Sequence, residues 1–141
     1  MKYFDTSVLI LPLLNDHRRK KAIEELESGG ITSELGLIEL VSYLSRNLNN
    51  DIIPYAMRLL KDYNINVKTI KDTRQSFIGE LSNVVYVALR VAKDVRLKTL
   101  DLLHISYVIL FQVDELVTAD REFEKASDFL SRKGVTLKVI I

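Results

Sequence analysis

The sequence predicts an α/β fold, with a short and mostly parallel central sheet flanked by helices. Short apolar segments alternate along the chain with longer segments whose apolar residues recur at helical spacing. This alternation is typical of parallel sheets, because a helix usually carries the chain from one parallel strand to the next. With 141 residues, 48% of them hydrophobic and 28% charged, the chain has the size and composition of one globular domain over 1–141.

The first half of the chain begins with a short strand at Tyr3-Phe4 and continues mainly as helices. We predict helices over 8–14, 18–27, 35–48 and 52–63, and strands at 31–32 and 66–70. Gly29-Gly30 mark the end of the second helix, because glycine readily adopts the backbone conformation found there. The third helix is indicated by an apolar stripe: Leu37, Leu40, Val41, Leu44 and Leu48.

The second half is predicted to contain longer helices between two more strands. We predict helices over 75–95, 100–111 and 122–130, and strands over 116–118 and 135–140. The helix over 100–111 is apolar on nearly every side, which indicates a buried helix. Because sites in open parallel sheets lie beyond the carboxyl ends of the strands, the residues that follow the strands are the first candidates for chemistry.

Composition excludes several kinds of site. The chain has no cysteine, which rules out disulfides, thiolate ligands and a cysteine nucleophile, and its two histidines are too few for a zinc site of the usual ligand types. A net charge of +1 predicts that any nucleic acid binds to a local patch. Asp5 interrupts any signal-peptide core, and no apolar run reaches the roughly 18 residues of a membrane span. We therefore expect a cytoplasmic protein.

Two aspartates occupy the same kind of position. Asp5 follows the first strand and Asp120 follows the strand over 116–118, and each precedes a helix. Either residue could simply cap its helix. Their repeated context would also bring both carboxylates to the same edge of the sheet.

Two further acids lie on helices. Asp101 begins the apolar helix over 100–111, where a buried charge requires a partner or a metal. His104, one turn later, is more typical of a hydrogen-bonded core histidine than of a ligand. Glu39 lies beside the apolar stripe of its helix and could be an ordinary exposed glutamate, and Glu34 competes with it for a role in the site.

Converging carboxylates predict a hard divalent cation. Close carboxylates repel one another, and Mg²⁺ or Mn²⁺ neutralises them with the oxygen ligands that these ions prefer. A cation held in this way activates water and stabilises charge on a phosphoryl oxygen, which is what phosphodiester hydrolysis requires.

Four short segments, in this order, resemble the PIN domain family and, within it, the VapC-type toxins of toxin–antitoxin pairs. They are Tyr3-Phe4-Asp5-Thr6-Ser7, Ile38-Glu39-Leu40, Leu100-Asp101-Leu102-Leu103-His104 and the segment 116–123. The resemblance implies a PIN-like three-layer sandwich and a metal-binding, catalytic quartet of Asp5, Glu39, Asp101 and Asp120, with Ser7 and Thr118 supporting the acids. It also implies Mg²⁺ or Mn²⁺ as cofactor, RNA as substrate, a homodimer and a cognate antitoxin. Ser106, Val108 and Glu122 depart from residues common in the family.

Candidate contacts for the RNA backbone are Arg46, Arg96 and Lys98, while the basic run at 18–21 is more typical of a solvated helix face. A haloacid-dehalogenase phosphatase would need an aspartate where Ser7 stands, and the chain contains no P-loop. Two alternatives stay open: a catalytically silent PIN-like binding or scaffold module, and a PIN nuclease of RNA processing. The RNA target cannot be read from the sequence.

Overall fold

The structure is a computed structural model that describes residues 1–49 and 51–141. The strands in this part of the chain are β1 (Lys2–Phe4), β2 (Gly30–Ser33), β3 (Ile65–Lys68), β4 (Thr73–Ser76), β5 (Gly79–Ser82), β6 (Glu115–Thr118) and β7 (Thr136–Val139). The α-helices are α1 (Thr6–Ile10), α2 (Arg19–Glu27), α3 (Glu34–Asn47), α4 (Ile52–Asp62), α5 (Asn83–Val95), α6 (Thr99–Phe111) and α7 (Ser127–Arg132). Short 3-10 helices lie at Leu11–Leu13 and Arg121–Ala126.

The central sheet has five strands in the order β3-β2-β1-β6-β7, and every pairing within it is parallel. Phe4 pairs with Val117, so β1 and β6 end side by side. The residues that follow these two strands therefore meet at one edge of the sheet. The predicted α/β fold with a parallel central sheet is confirmed.

Helices cover both faces of the sheet, because neighbouring strand residues point to opposite sides. Phe4 packs with Leu40 and Leu44 in one buried cluster. Tyr3 packs with Ile105 and Phe123 in the other. These two cores on either side of the sheet make the predicted three-layer arrangement. Among the described residues, none of the helices combines the length and apolar character that a bilayer span demands.

The start of α3 is fixed closely against β1. The Ser33 hydroxyl accepts a hydrogen bond from the Gly36 backbone N–H, at 3.2 Å, and so caps the helix. Gly36 lies against the Thr32 hydroxyl, which donates to the Phe4 carbonyl, and a Cβ at position 36 would clash with that hydroxyl. This tight packing sets the position of Glu39, one turn further along α3.

The predicted helix over 75–95 is wrong in its first part. Residues Thr73–Ser76 and Gly79–Ser82 form an antiparallel hairpin, and α5 begins only at Asn83, where the Ser82 hydroxyl accepts from the Val85 N–H. Gly79 has φ +119°, a conformation suited to a tight turn and unsuited to helix. The predicted helix begins too early because it extends the apolar spacing of α5 backwards past this N-cap.

Two other predicted helices are interrupted. The predicted helix over 8–14 begins earlier, at Thr6, and becomes a 3-10 turn at Leu11–Leu13, where Pro12 cannot donate a hydrogen bond. The predicted helix over 122–130 is a 3-10 helix over Arg121–Ala126 followed by α7. Hydrophobic spacing alone does not distinguish these tighter turns from α-helix. The remaining predicted elements are present, with their ends shifted by one or two residues.

Candidate active site

Asp5 follows β1 directly, and its side chain is buried with 4% of its surface exposed. Its Oδ1 accepts a hydrogen bond from the Ser7 hydroxyl at 2.6 Å, and its Oδ2 accepts one from the Thr118 hydroxyl at 2.9 Å. The side chain makes no capping hydrogen bond to α1. Asp5 thus occupies the N-cap position of α1, but its side chain does not cap the helix and instead accepts hydrogen bonds from Ser7 and Thr118.

The environment of Asp5 disfavours its ionised form. Burial raises the pKa of Asp5 to about 6, against the lowering effects of His104, Ser7 and Thr118, and the nearby charge of Asp101 raises it further. The interactions that favour the ionised carboxylate therefore do not offset its burial. This is the condition that a bound cation would relieve.

Asp120 lies two residues beyond β6 and begins the 3-10 helix Arg121–Ala126. Its Oδ1 accepts a hydrogen bond from the Glu122 N–H at 2.9 Å, so the capping interpretation is confirmed for this residue. The backbone N–H of Asp120 donates to the Thr118 hydroxyl at 3.0 Å. Thr118 thus links Asp120 to Asp5, and the cap occupies only one of the two carboxylate oxygens of Asp120.

Asp101 lies in the first turn of α6 and is partly exposed. Burial raises its pKa, and the charges of Asp120, Glu39 and Glu122 raise it further against the lowering effect of His104. Asp101 is therefore electrostatically coupled to Asp120 and Glu39.

Glu39 is not the ordinary exposed helix glutamate that the sequence left open. Its side chain is 26% exposed, and its Oε1 accepts hydrogen bonds from the Thr6 hydroxyl at 3.0 Å and from His104 Nε2 at 2.5 Å. Burial acts to raise the pKa of Glu39, but the interactions with His104 and Thr6 outweigh it and the pKa lies below its usual range. Glu34, by contrast, is exposed and accepts its hydrogen bond from Thr69.

Several side chains that hold the site were not predicted. Thr6 contacts Glu39, and Tyr3 and Ser33 form hydrogen bonds deeper in the core. Arg18 lies in the basic run that was interpreted as solvated, yet its guanidinium bonds to Asp16 and donates to the Ala119 carbonyl at 3.1 Å. Of these, only Ser33 carried a visible signal, as a serine that directly precedes a helix.

The three predicted RNA-contact residues are exposed. Lys98 is the N-cap residue of α6, and the pKa of Glu122 is lowered mainly by Lys125 and also by the charge of Lys98. Arg46 lies in the last turn of α3, two turns beyond Glu39. Arg96 ends α5 and donates to the Lys93 carbonyl.

The four acids fit a hard divalent cation by their chemistry. They offer only oxygen donors, and the raised pKa values of Asp5 and Asp101 reflect burial and mutual repulsion that a cation would relieve. Within residues 1–49 and 51–141, however, no three acid or histidine side chains already stand close enough together to hold a metal ion.

Comparison with known proteins agrees with this fold. A family model described as PIN domain matches residues 2–128. Among solved structures, the chain is similar to VapC20 of Mycobacterium tuberculosis, described as a sarcin–ricin loop cleaving toxin, with a TM-score of 0.66, 16% identity and coverage of 89% of this chain and 95% of that one. It is similar to a toxin–antitoxin complex from Klebsiella pneumoniae, with a TM-score of 0.62, 18% identity and 96% of each chain covered.

A third similar structure is FitAcB from Neisseria gonorrhoeae, with a TM-score of 0.65, 13% identity and coverage of 98% of this chain and 96% of that one. A search of curated protein sequences gives no match. At these identities, the structural similarities establish a shared fold.

Proposed function

The chain belongs to the PIN domain family, and from that premise we propose that it is a Mg²⁺- or Mn²⁺-dependent endoribonuclease. The observation that supports this proposal is that Thr118 links Asp5 and Asp120 beyond the paired strands β1 and β6, while Asp101 is electrostatically coupled to Asp120 and Glu39. Burial and mutual repulsion disfavour ionisation of Asp5 and Asp101 in particular. A protein that maintains such an arrangement gains from a cation that restores the charge balance.

Each acid has a distinct role in this proposal. Asp5, Asp101 and Asp120 would hold the metal, and Glu39 would either bind it or orient the water. When bound, the cation supplies two effects: it lowers the pKa of a water molecule and stabilises negative charge on the phosphoryl oxygens. The Thr118 hydroxyl holds the Asp5 carboxylate and the Asp120 backbone in a fixed relation, so that these two acids act from one rigid support.

RNA would bind through local positive charge, because the net charge of the chain is only +1. Lys98 is the strongest of the three candidates, since it interacts with Glu122 beside the acids. Arg96 and Arg46 would contact phosphates further along the strand. Loss of one such contact should weaken binding and reduce its dependence on salt.

We also propose that the nuclease is the toxin of a toxin–antitoxin pair, acts in the cytoplasm as a homodimer, and is inhibited by a cognate antitoxin. Support for the toxin role and the antitoxin partner comes from the similar structures, which include VapC20 and several toxin–antitoxin complexes and span nearly the whole chain. A catalytically silent module and an RNA-processing nuclease are the alternatives that the experiments below must separate.

The central test is cleavage of single-stranded RNA by the purified chain with Mn²⁺ or Mg²⁺. We expect cleavage that EDTA abolishes and that Asp5→Asn reduces more than about 100-fold, because a charged ligand is lost. The matched control is Asp62→Asn. Asp62 is an exposed aspartate that ends α4 shortly before β3 begins, and so lies towards the opposite edge of the sheet.

The outcomes separate the alternatives. Mn²⁺ binding without cleavage of any RNA would support the silent module, and cleavage that persists in EDTA would overturn the metal-dependent proposal. The toxin role predicts that expression of the chain arrests growth of its host, that Asp5→Asn relieves the arrest, and that the product of a small neighbouring gene forms a complex with it. An active nuclease that leaves growth unaffected would favour RNA processing.

A further inference from the structure

A buried chain of hydrogen bonds connects Glu39 to the start of its own helix. His104 is 2% exposed and uses both ring nitrogens: Nε2 bonds to Glu39 Oε1 at 2.5 Å and Nδ1 bonds to the Tyr3 hydroxyl at 2.7 Å. The Tyr3 hydroxyl bonds in turn to the Ser33 hydroxyl at 2.7 Å. Ser33 accepts from the Gly36 N–H in the first turn of α3, the helix that carries Glu39.

The hydrogen-bond donors in this network can all point towards Glu39. An ionised Glu39 only accepts hydrogen bonds, so the proton between it and His104 belongs to Nε2. When Nε2 carries the ring proton, Nδ1 is free to accept a hydrogen bond from the Tyr3 hydroxyl. The Tyr3 oxygen can then accept a hydrogen bond from the Ser33 hydroxyl. Each of these four side chains then has its hydrogen-bond partner, and hydrogen bonds aligned in one direction strengthen one another.

The rings of Tyr3 and His104 are fixed by their packing. Tyr3 is fully buried on β1, and its ring packs against His104 edge-to-face with centroids 5.7 Å apart. On its other side the His104 ring lies edge-on to Phe123, with centroids 6.4 Å apart. A ring held from both sides and bonded through both nitrogens has little freedom to rotate.

From these contacts we propose that His104 is a positioning residue for Glu39. His104, Tyr3 and Ser33 form a closed support that fixes the Glu39 carboxylate relative to Asp5 and Asp101. His104 does not touch the RNA or the reacting atoms. This inference rests on the proposed nuclease function, because it assigns His104 a role in the same site.

Thr6 completes this support from α1. The Thr6 hydroxyl and His104 Nε2 both contact Glu39 Oε1, at 3.0 Å and 2.5 Å, and so fix the orientation of the carboxylate. Outer contacts that orient an acid typically change metal affinity or activity about 10- to 100-fold when they are removed.

The test compares two substitutions that differ in which ring nitrogen they replace. In His104→Gln the side-chain amide can take the place of Nε2 and still donate to Glu39. In His104→Asn the amide can take the place of Nδ1 and leaves Glu39 without its donor. We expect His104→Asn to lower kcat for RNA cleavage about 10- to 100-fold with little change in KM, and His104→Gln to retain several-fold more of it.

A double-mutant cycle with Glu39→Gln determines whether His104 acts through Glu39. If it does, His104→Asn causes little further loss in a Glu39→Gln background, both in kcat and in Mn²⁺ affinity measured by calorimetry. Tyr3→Phe, which removes the hydroxyl behind His104, should cause a smaller loss of the same kind. The matched control is Tyr107→Phe, which also removes a tyrosine hydroxyl. Tyr107 lies on α6, the helix of His104, and its ring stacks on Phe111 with the centroids 5.5 Å apart.

Independent effects of the His104 and Glu39 substitutions would overturn the inference. Equal losses of kcat in His104→Gln and His104→Asn that parallel the loss in the free energy of unfolding would also overturn it, because that pattern indicates a purely structural histidine. If the wild-type chain binds Mn²⁺ but cleaves no RNA, the proposed function fails, and the Mn²⁺ cycle still decides the role of His104. A wild-type chain that neither binds Mn²⁺ nor cleaves RNA would overturn both.

Discussion

Replacing Asp5 by asparagine should stabilise the metal-free protein at neutral pH, although it should destroy activity. The pKa of the buried Asp5 carboxyl is raised from 3.8 to about 6. Each pH unit between these values corresponds to about 1.4 kcal/mol, so ionising Asp5 lowers the free energy of unfolding by about 3 kcal/mol. Asparagine removes this cost, but it must exchange one accepted hydrogen bond, from Ser7 or Thr118, for a donated one, at about 1 kcal/mol.

The direction with pH follows from the number of protons bound. The folded protein keeps the Asp5 proton to a higher pH than the unfolded chain, so the wild type loses stability as the pH rises from about 4 to about 6. The stability of Asp5→Asn relative to the wild type should therefore rise by about 3 kcal/mol over this range and stay level above it. At pH 7 to 8 the variant should be more stable by about 2 kcal/mol.

Urea unfolding in EDTA at pH 4.5, 6 and 7.5 measures this difference directly, since each titration gives a free energy of unfolding for both proteins. The comparison cancels groups that titrate identically in the two chains. A difference between the proteins that stays constant with pH would refute the reasoning, because the carboxyl would then not be strained by its burial. A variant less stable than the wild type at pH 7.5 would contradict the expected magnitude.

Three further outcomes test the supports of the site. Thr118→Val removes a donor from the ionised Asp5, so its deficit in unfolding free energy should grow with pH, reaching about 1–3 kcal/mol at pH 7.5 in the same urea series; a deficit that shrinks with pH would contradict this. Gly36→Ala should destabilise the protein by about 1–3 kcal/mol, measured by thermal unfolding, because the added methyl group clashes with Thr32; an unchanged Tm would mean that α3 shifts freely. Asp101→Asn should leave the circular dichroism spectrum unchanged and weaken Mn²⁺ binding at least about 10-fold in calorimetry, and unaltered affinity would remove Asp101 from the site.

The places of Asp5 and Asp120 in the fold could be predicted from the sequence because they depend on local pattern. Asp5 and Asp120 each follow a strand, and strands of a parallel sheet end at a common edge, so their proximity follows from the alternation of strands and helices. Asp101 stood out because it begins an apolar helix. The helix N-cap was a second local interpretation for both strand-end aspartates, and only the hydrogen bonds showed that the side chain of Asp120 caps its helix and that of Asp5 does not.

The hairpin of β4 and β5 shows where the pattern misleads. The helical spacing of apolar residues in α5 can be extended backwards over residues 75–82, because the few apolar residues in that segment do not break the spacing. The actual boundary depends on the Ser82 cap and the positive φ of Gly79, which are single-residue effects. Hydrophobic periodicity averages over about ten residues and cannot resolve a boundary set by one.

By itself, the sequence determined the alternation of strands and helices outside the β4-β5 hairpin and the layered α/β architecture, because these depend on periodicity, while the set of four carboxylates stays a prediction from the family resemblance. Only the tertiary structure determined which groups support each acid. The contacts from His104 to Glu39 and from Thr118 to Asp5 join residues 65 and 113 positions apart. Contacts at such separation depend on how layers pack against one another, and side-chain packing leaves no periodic signal along the chain.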